Sequence, residues 1–279
     1  MKIRKRMLVA PSMPLAGQGL HSGRWARLQL LPAPSGSGLV ISTPRGTVPV
    51  SLDTATPAPR HTALRTGGAR VETVEHLLAA LAALGIWDAR IELQGFPEIP
   101  ILDGSAAPFV RALLAASEPV ATEGRCWQVE HPFACRVGLA FCQLLPAPTL
   151  ELECAIRFAS PLIGDQRVRL EGQEQLLRRI VPARSFGFID EARALRRTGL
   201  ARGATLGSVV VFDGERVLNP GGTRFRDEPV RHKLLDALGD LALLGGPLAG
   251  RVRLQRPGHW LVVEALRRAV TSGAVVAHA

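Results

Sequence analysis

The 279-residue chain contains no tyrosine, and aromatic residues make up only 5% of it. Proteins that stack nucleic-acid bases need aromatic side chains beside basic ones, and that supply is thin here. Lysine is nearly as scarce. Lys2, Lys5 and Lys233 are the only ones, so the formal charge of +10 rests on scattered arginines and not on a basic tail. No apolar run reaches the roughly 18 residues of a membrane-spanning helix. Met1 to Met7 is basic, but Pro11 and Pro14 interrupt the next stretch, so a first strand of a cytoplasmic protein is expected in place of a signal peptide. The four cysteines, Cys126, Cys135, Cys142 and Cys154, form no Cys-x-x-Cys pair. That removes a zinc ribbon and leaves small buried thiols in a reduced compartment.

What the chain does have is the balance of a globular protein, 47% hydrophobic and 21% charged, with length for one large domain or two moderate ones. Its positive charge favours an anionic partner: nucleic acid, a phosphorylated metabolite or an acidic membrane face. Ala26 to Leu31 and Gly38 to Ser42 alternate as strands between Pro/Gly/Ser turns. Val71 to Ile86 has a helical period, with Thr73 as the expected cap and Gly85 as the stop. A strand at Ala89 to Leu93 comes next, then a helix from Ala106 to Ala116 with Ser105 capping and Pro108 in its first turn. The polar stretch Ser117 to Arg125 is the best boundary, giving domains at 1–120 and 126–279. Strands resume at Cys126 to Val129, Ala134 to Leu145 (interrupted at Gly138) and Leu150 to Phe158. Helical pattern returns at Gln173 to Ile180 and at Asp190 to Arg197. Ser208 to Phe212 and Arg216 to Leu218 pair around Asp213-Gly214. A last helix opens at Pro229, runs through Asp240 and ends at Gly245-Gly246-Pro247. Elements run in blocks and do not alternate one for one, so the expected class is α+β with layers of helix and sheet.

Within that last helix, His232 and Asp236 leave one face a turn apart, and Asp240 lies a further turn on. An imidazole and a carboxylate at that spacing can share a metal ion, and a third ligand is needed. His76 is the natural one, because a polar residue on a strongly apolar helix needs a reason to be there. Glu75, adjacent to it, can take a proton from water at a metal. On spacing alone these pairs read more readily as a solvated cap and as a surface pair or core hydrogen bond than as a metal site, and His259, after Gly258, as an exposed loop residue.

Longer motifs decide between the two. They are Gly17-Gln18-Gly19-Leu20-His21-Ser22-Gly23, then Thr73-Val74-Glu75-His76-Leu77, then the run from Pro97 through Leu102-Asp103-Gly104-Ser105 to Phe109. Arg184-Ser185-Phe186-Gly187-Phe188, Arg216-Val217-Leu218-Asn219, Arg231-His232-Lys233-Leu234-Leu235-Asp236, Gly239-Asp240 and Gly258-His259 complete the ordered set. Together they resemble the UDP-3-O-acyl-N-acetylglucosamine deacetylases, zinc amidases of lipid A synthesis in Gram-negative bacteria, over nearly the whole chain.

The resemblance implies two domains of similar topology, each with helices on a mainly antiparallel sheet, and the active site between them. It implies His76, His232 and Asp236 as ligands of zinc (iron being an alternative in the cell), Glu75 as general base, and His259 as general acid or oxyanion partner oriented by Asp240. Ser185 stands where threonine is usual and still offers a hydroxyl to the oxyanion. Phe186 and Phe188 match aromatics of the sugar-nucleotide region, Lys233 a diphosphate contact, and Glu191 a residue near the uridine. The substrate implied is a UDP-linked acylated glucosamine. The enzyme is expected to be a monomer working transiently at an inner-membrane face, with no nucleic acid involved.

Departures from the family pattern are local. Gly203-Ala204-Thr205 replaces a common Gly-Gly-Ser in the segment lining the acyl passage, so Ala204 narrows it. The chain is shortened near Gly138 and lacks a lysine there, and His61 stands where cysteine is frequent, beside the metal site by analogy. Rival readings are a non-catalytic sugar-nucleotide-binding homologue and a basic nucleic-acid-binding protein.

Overall fold

A computed structural model describes residues 5–121 and 126–278. The class is the expected α+β, and the two halves repeat one sheet topology. In the first half, the strands Leu15–Gln18, Trp25–Leu31, Ala89–Gly95, Leu39–Thr43 and Gly46–Pro49 lie side by side in that order. Every neighbouring pair is antiparallel except Leu39–Thr43 against Ala89–Gly95. In the second half, Phe133–Val137, Ala140–Leu145, Leu248–Gln255, Leu150–Arg157 and Asp165–Glu171 adopt the same pattern, with the parallel pair again between the third and fourth positions. Cys126–Val129 and Val275–His278 widen this second sheet.

Helices occupy equivalent places in the two halves. α1 (Glu75–Leu84) precedes the central strand of the first sheet and α2 (Ala107–Ala116) comes after it. A short helix α3 (Gln173–Gln175) runs into a π-helical turn at Leu176–Ile180, and α4 (Ile189–Arg197) is next along the chain. α5 (Glu228–Leu241) then precedes the central strand of the second sheet and α6 (His259–Thr271) comes after it. Every residue of α1 is buried and all but Arg231 and Lys233 of α5 are, so the two helices form the middle of the molecule, packed on one another. Each half also carries a small three-stranded insert, Ala55–Ala58 with His61–Thr66 and Ala69–Val71, and Phe186–Phe188 with Val210–Asp213 and Arg216–Val217.

Several details differ from expectation. Thr73 does not cap α1. It sits at φ 58, and its hydroxyl donates to Glu98 Oε1 (3.1 Å) while Val74 takes the cap position. Ser105 stands two residues ahead of α2, before the cap residue Ala106, where its hydroxyl accepts from Ala107 N–H (3.2 Å) and donates to Asp103 (2.7 Å). The expected boundary is partly a strand: Ser117–Pro119 pairs with Arg6–Leu8, and residues 122–125 lie outside the described ones. His259 is the first residue of a helix and not part of a loop. Cys135, Cys142 and Cys154 are buried free thiols, as expected, and Cys126 is half-buried. Among the described residues no helix is long and apolar enough to cross a membrane.

Candidate metal centre and active site

The site forms where α1, α5 and α6 meet. The approach of α1 to α5 depends on Gly239, since a Cβ there would lie 2.1 Å from the carbonyl oxygen of Glu75. Only a residue without a side chain lets the two backbones come this close. The contact sets the first turn of α1, with Glu75 and His76, against the face of α5 that carries His232, Asp236 and Asp240.

His76, His232 and Asp236 are all buried, and one potential ligand atom of each lies within 4.8 Å of the others. Asp236 Oδ1 is 3.2 Å from His232 Nε2 and 3.8 Å from His76 Nε2. Donors sharing a tetrahedral zinc at its usual bond lengths stand about 3.3 Å apart, so the spacing suits an ion. His232 Nδ1 faces the carbonyl of Ala183 (3.2 Å), which fixes the tautomer and turns the Nε2 lone pair toward the cluster. Lys233 Nζ occupies the other oxygen of Asp236 (2.9 Å) and leaves Oδ1 free. His76 turns its Nε2 toward the same Asp236 oxygen, and its Nδ1 is buried on the other side of the ring with no hydrogen-bond partner. Burial, aided by the neighbouring His232, lowers the His76 pKa to about 3, and burial lowers that of His232 as well. Burial alone would raise Asp236, but His232 and Lys233 overcome it and hold the carboxyl well below its usual range. Two neutral imidazoles and one carboxylate are the protonation states a metal requires.

Two buried titratable groups face each other beside this cradle. Glu75 Oε1 lies 4.0 Å from His259 Nε2, and Glu75 Oε2 accepts the backbone N–H of Thr62 (3.1 Å). Burial raises the Glu75 carboxyl to about 7. For His259 burial works against the charged form, but Asp240, with Oδ2 2.9 Å from Nδ1, outweighs it and the pKa rises to about 9. The Thr62 hydroxyl donates to the second oxygen of Asp240 (2.7 Å). Ser185 completes the cluster, its hydroxyl 3.3 Å from His232 Nε2. The Leu102–Ser105 turn holds it there: Ser185 N–H donates to the carbonyl of Gly104 (2.8 Å), and a Cβ on Gly104 would meet the Ser208 carbonyl oxygen at 1.8 Å.

Further out, Phe186 and Phe188 form an aromatic cluster with Phe158 and Phe212, and the Phe186 ring stands 6.3 Å from that of His232. Glu191 pairs with Arg60 (2.8 Å) at the surface, and Ala204 is half-buried in a turn bonded to Ala201. His61 is not free to serve as an extra ligand. Its Nε2 is 2.7 Å from Glu72 and its Nδ1 3.0 Å from the Pro59 carbonyl. Neither Thr62 nor Glu98 stands out in the sequence. Glu98 accepts from the backbones of His21 (2.7 Å) and Ser22 (2.8 Å) as well as from Thr73, so one buried carboxylate ties the Gly17–Gly23 loop to the start of α1. The Pro97–Phe109 motif holds that signal, though nothing in its spacing says what Glu98 binds.

A cradle for one metal ion, with a carboxylate and a carboxylate-backed imidazole facing each other beside it, is the equipment of a metal-assisted hydrolase. The sequence profile of the UDP-3-O-acyl N-acetylglycosamine deacetylases matches residues 7–271, and the chain belongs to that family, whose members are deacetylating enzymes. Among its relatives, the UDP-3-O-acyl-N-acetylglucosamine deacetylase of Myxococcus xanthus (strain DK1622) is 40% identical over 264 residues, 92% of this chain and 83% of the relative. The enzyme of the same description from Phenylobacterium zucineum (strain HLK1) is 40% identical over 260 residues, 90% and 88% of the two chains. That of Geotalea uraniireducens (strain Rf4) is 40% identical over 252 residues, 88% and 82%.

Proposed function

We propose that the protein removes the N-acetyl group of UDP-3-O-(3-hydroxyacyl)-N-acetylglucosamine, releasing acetate and the free amine, the committed step of lipid A synthesis. The observation that carries this reading is the pairing of the His76, His232 and Asp236 donor set with Glu75 and His259 at 4.0 Å from each other. The metal is proposed to be zinc, with iron as the alternative, because the His2Asp set accepts both. A bound divalent cation supplies Lewis acidity toward a water and toward the amide carbonyl oxygen.

Glu75 takes the proton of the attacking water; a carboxyl poised near neutrality suits that task. His259, held as imidazolium by Asp240, stabilises the charge developing on the carbonyl oxygen and then protonates the leaving nitrogen. The Ser185 hydroxyl gives a second donor to that oxygen. Lys233, a quarter exposed beyond its bond to Asp236, turns its remaining N–H donors to the diphosphate. Phe186 and Phe188 flank the sugar-nucleotide, Glu191 lies toward the uridine, and Ala204 borders the acyl passage. The two domains are proposed to divide between residues 120 and 126. The enzyme works as a monomer in the cytoplasm, in transient contact with an anionic membrane face.

The deciding experiment is a deacetylation assay with UDP-3-O-acyl-N-acetylglucosamine on metal-depleted, zinc-restored and Glu75→Ala protein. Activity is expected only in the zinc-restored wild type, with Glu75→Ala down by a factor of about 10² to 10⁴ while keeping its metal. Equal activity in all three would sink the mechanism. Tight substrate binding without turnover in any of them would instead favour a sugar-nucleotide-binding homologue.

A further inference from the structure

We propose that the exposed face of α4, with the loop after it, docks the protein on an anionic lipid surface. The inference deepens the proposed membrane contact and rests on that reading. α4 is nine residues long and none of them is buried. At 100° per residue, Glu191, Ala192 and Leu195 share the side that is half-buried against the protein, while Ile189, Arg193, Arg196 and Arg197 share the opposite, exposed side. Ile189 is 38% exposed and Leu206, in the loop, 44%. Arg202 is exposed between them.

Charge on this face is unbalanced. Among the described residues no carboxylate stands within ion-pair distance of Arg193, Arg196, Arg197 or Arg202. The arginines of the second sheet are, by contrast, largely paired: Arg157 to Asp165, Arg167 to Glu153, Arg169 and Arg251 to Glu151. Of the two acids on α4, Glu191 is already engaged by Arg60, so only Asp190 opposes the four cations. A solvated helix face requires neither an unpaired cationic stripe nor an exposed isoleucine at its head. An interfacial element uses both, arginine for lipid phosphates and the apolar side chain for the acyl boundary.

The position of this face is also informative. α4 grows directly from Phe186–Phe188, beside His232, and Phe188 is its cap residue. The loop after it closes on the Gly17–Gly23 segment through Arg202 N–H to the His21 carbonyl (3.1 Å) and Gly203 N–H to that of Leu20 (3.0 Å). A surface held against this face therefore lies next to the mouth of the site, so an acylated sugar nucleotide passes between bilayer and enzyme without exposing its chain to water.

The test is flotation of the full-length, metal-loaded protein with vesicles of phosphatidylcholine alone and of phosphatidylcholine mixed with phosphatidylglycerol. The wild type is expected to bind only the mixed vesicles, and less as salt is raised. Each arginine near such a surface contributes about fivefold, so the triple charge reversal Arg193→Glu, Arg196→Glu, Arg197→Glu should weaken binding by at least about a hundredfold. A control of equal charge change elsewhere, Arg45→Glu, Arg90→Glu, Arg111→Glu, should change it by less than about threefold. Ile189→Ser should weaken it severalfold, and equal melting temperatures secure the fold of each variant. No wild-type binding, equal losses in the stripe and control variants, or indifference to Ile189→Ser would each overturn the proposal. Glu75→Ala should float like the wild type, so failure of docking and failure of the deacetylase reading are told apart.

Discussion

Asp240 serves His259 in two ways: it fixes the ring through Nδ1, and it keeps the imidazolium stable in a buried place that would otherwise discharge it. The consequence is a pH limit. The folded pKa of about 9 lies above the ordinary imidazole value of about 6.5, so the charged form, and the stability drawn from it, are complete below about 6.5 and lost as pH rises through about 9. The alkaline limb of kcat/KM should therefore fall near 9 in the wild type. Asp240→Asn should move it to about 6.5 or lower, a loss of roughly thirtyfold at pH 8 from protonation alone. A limb left in place by that substitution would remove His259 from the proton transfer. Thr62 supports the same pair from behind. Thr62→Val should cost about 1–3 kcal/mol in urea unfolding by leaving a buried carboxylate oxygen without its donor, and Thr62→Ser should recover most of it.

At the scale of elements, the helix pair α1 and α5 is what turns separate stretches of sequence into a site. Gly239→Ala should push them apart, because the new methyl has no room against the Glu75 carbonyl. A loss of about 1–3 kcal/mol is expected from overpacking, together with weaker metal retention measured after dialysis, since His76 and His232 sit on opposite sides of that contact. Unchanged metal retention would show that the ligands are positioned independently of the helix approach. Both helices are legible in sequence for a physical reason: each is an apolar run with a glycine stop, and Pro229 marks the first turn of α5. α6 is not, because it opens on Gly258 in extended backbone with no capping side chain, and Pro257-Gly258 reads as a turn. The strand Leu248–Gln255 is also missed, although its alternation is visible, buried leucine and valine against Arg251 and Arg253. Its outward arginines are matched by Glu151 and Glu153 across the sheet, a partnership that one segment alone does not display.

At the scale of the whole molecule, the repeated sheet topology explains why the site lies where it does. Each half supplies a helix ahead of its central strand, and packing these two helices together brings His76 from one half to His232 and Asp236 of the other. The repeat leaves no trace in the sequence because topology needs only alternation and turns, while the two halves fill their faces with different side chains. The proposed metal ligands on α5 can be suspected from their spacing and His76 from its place on an apolar helix, but their union depends on a contact between distant segments, and only the family motifs decide for it over the simpler readings. A metal bound across this seam binds the folded chain and not the unfolded one. Zinc at a hundred times its dissociation constant should thus add about 2.7 kcal/mol, seen as a rise in melting temperature of several degrees over chelated protein. Asp236→Ala should abolish most of that rise. Glu75→Ala should keep it, since Glu75 stands beside the donor set and not in it. If both variants lost the rise equally, the ion would have to be held by Glu75 as well, and its part as the base would pass to another group.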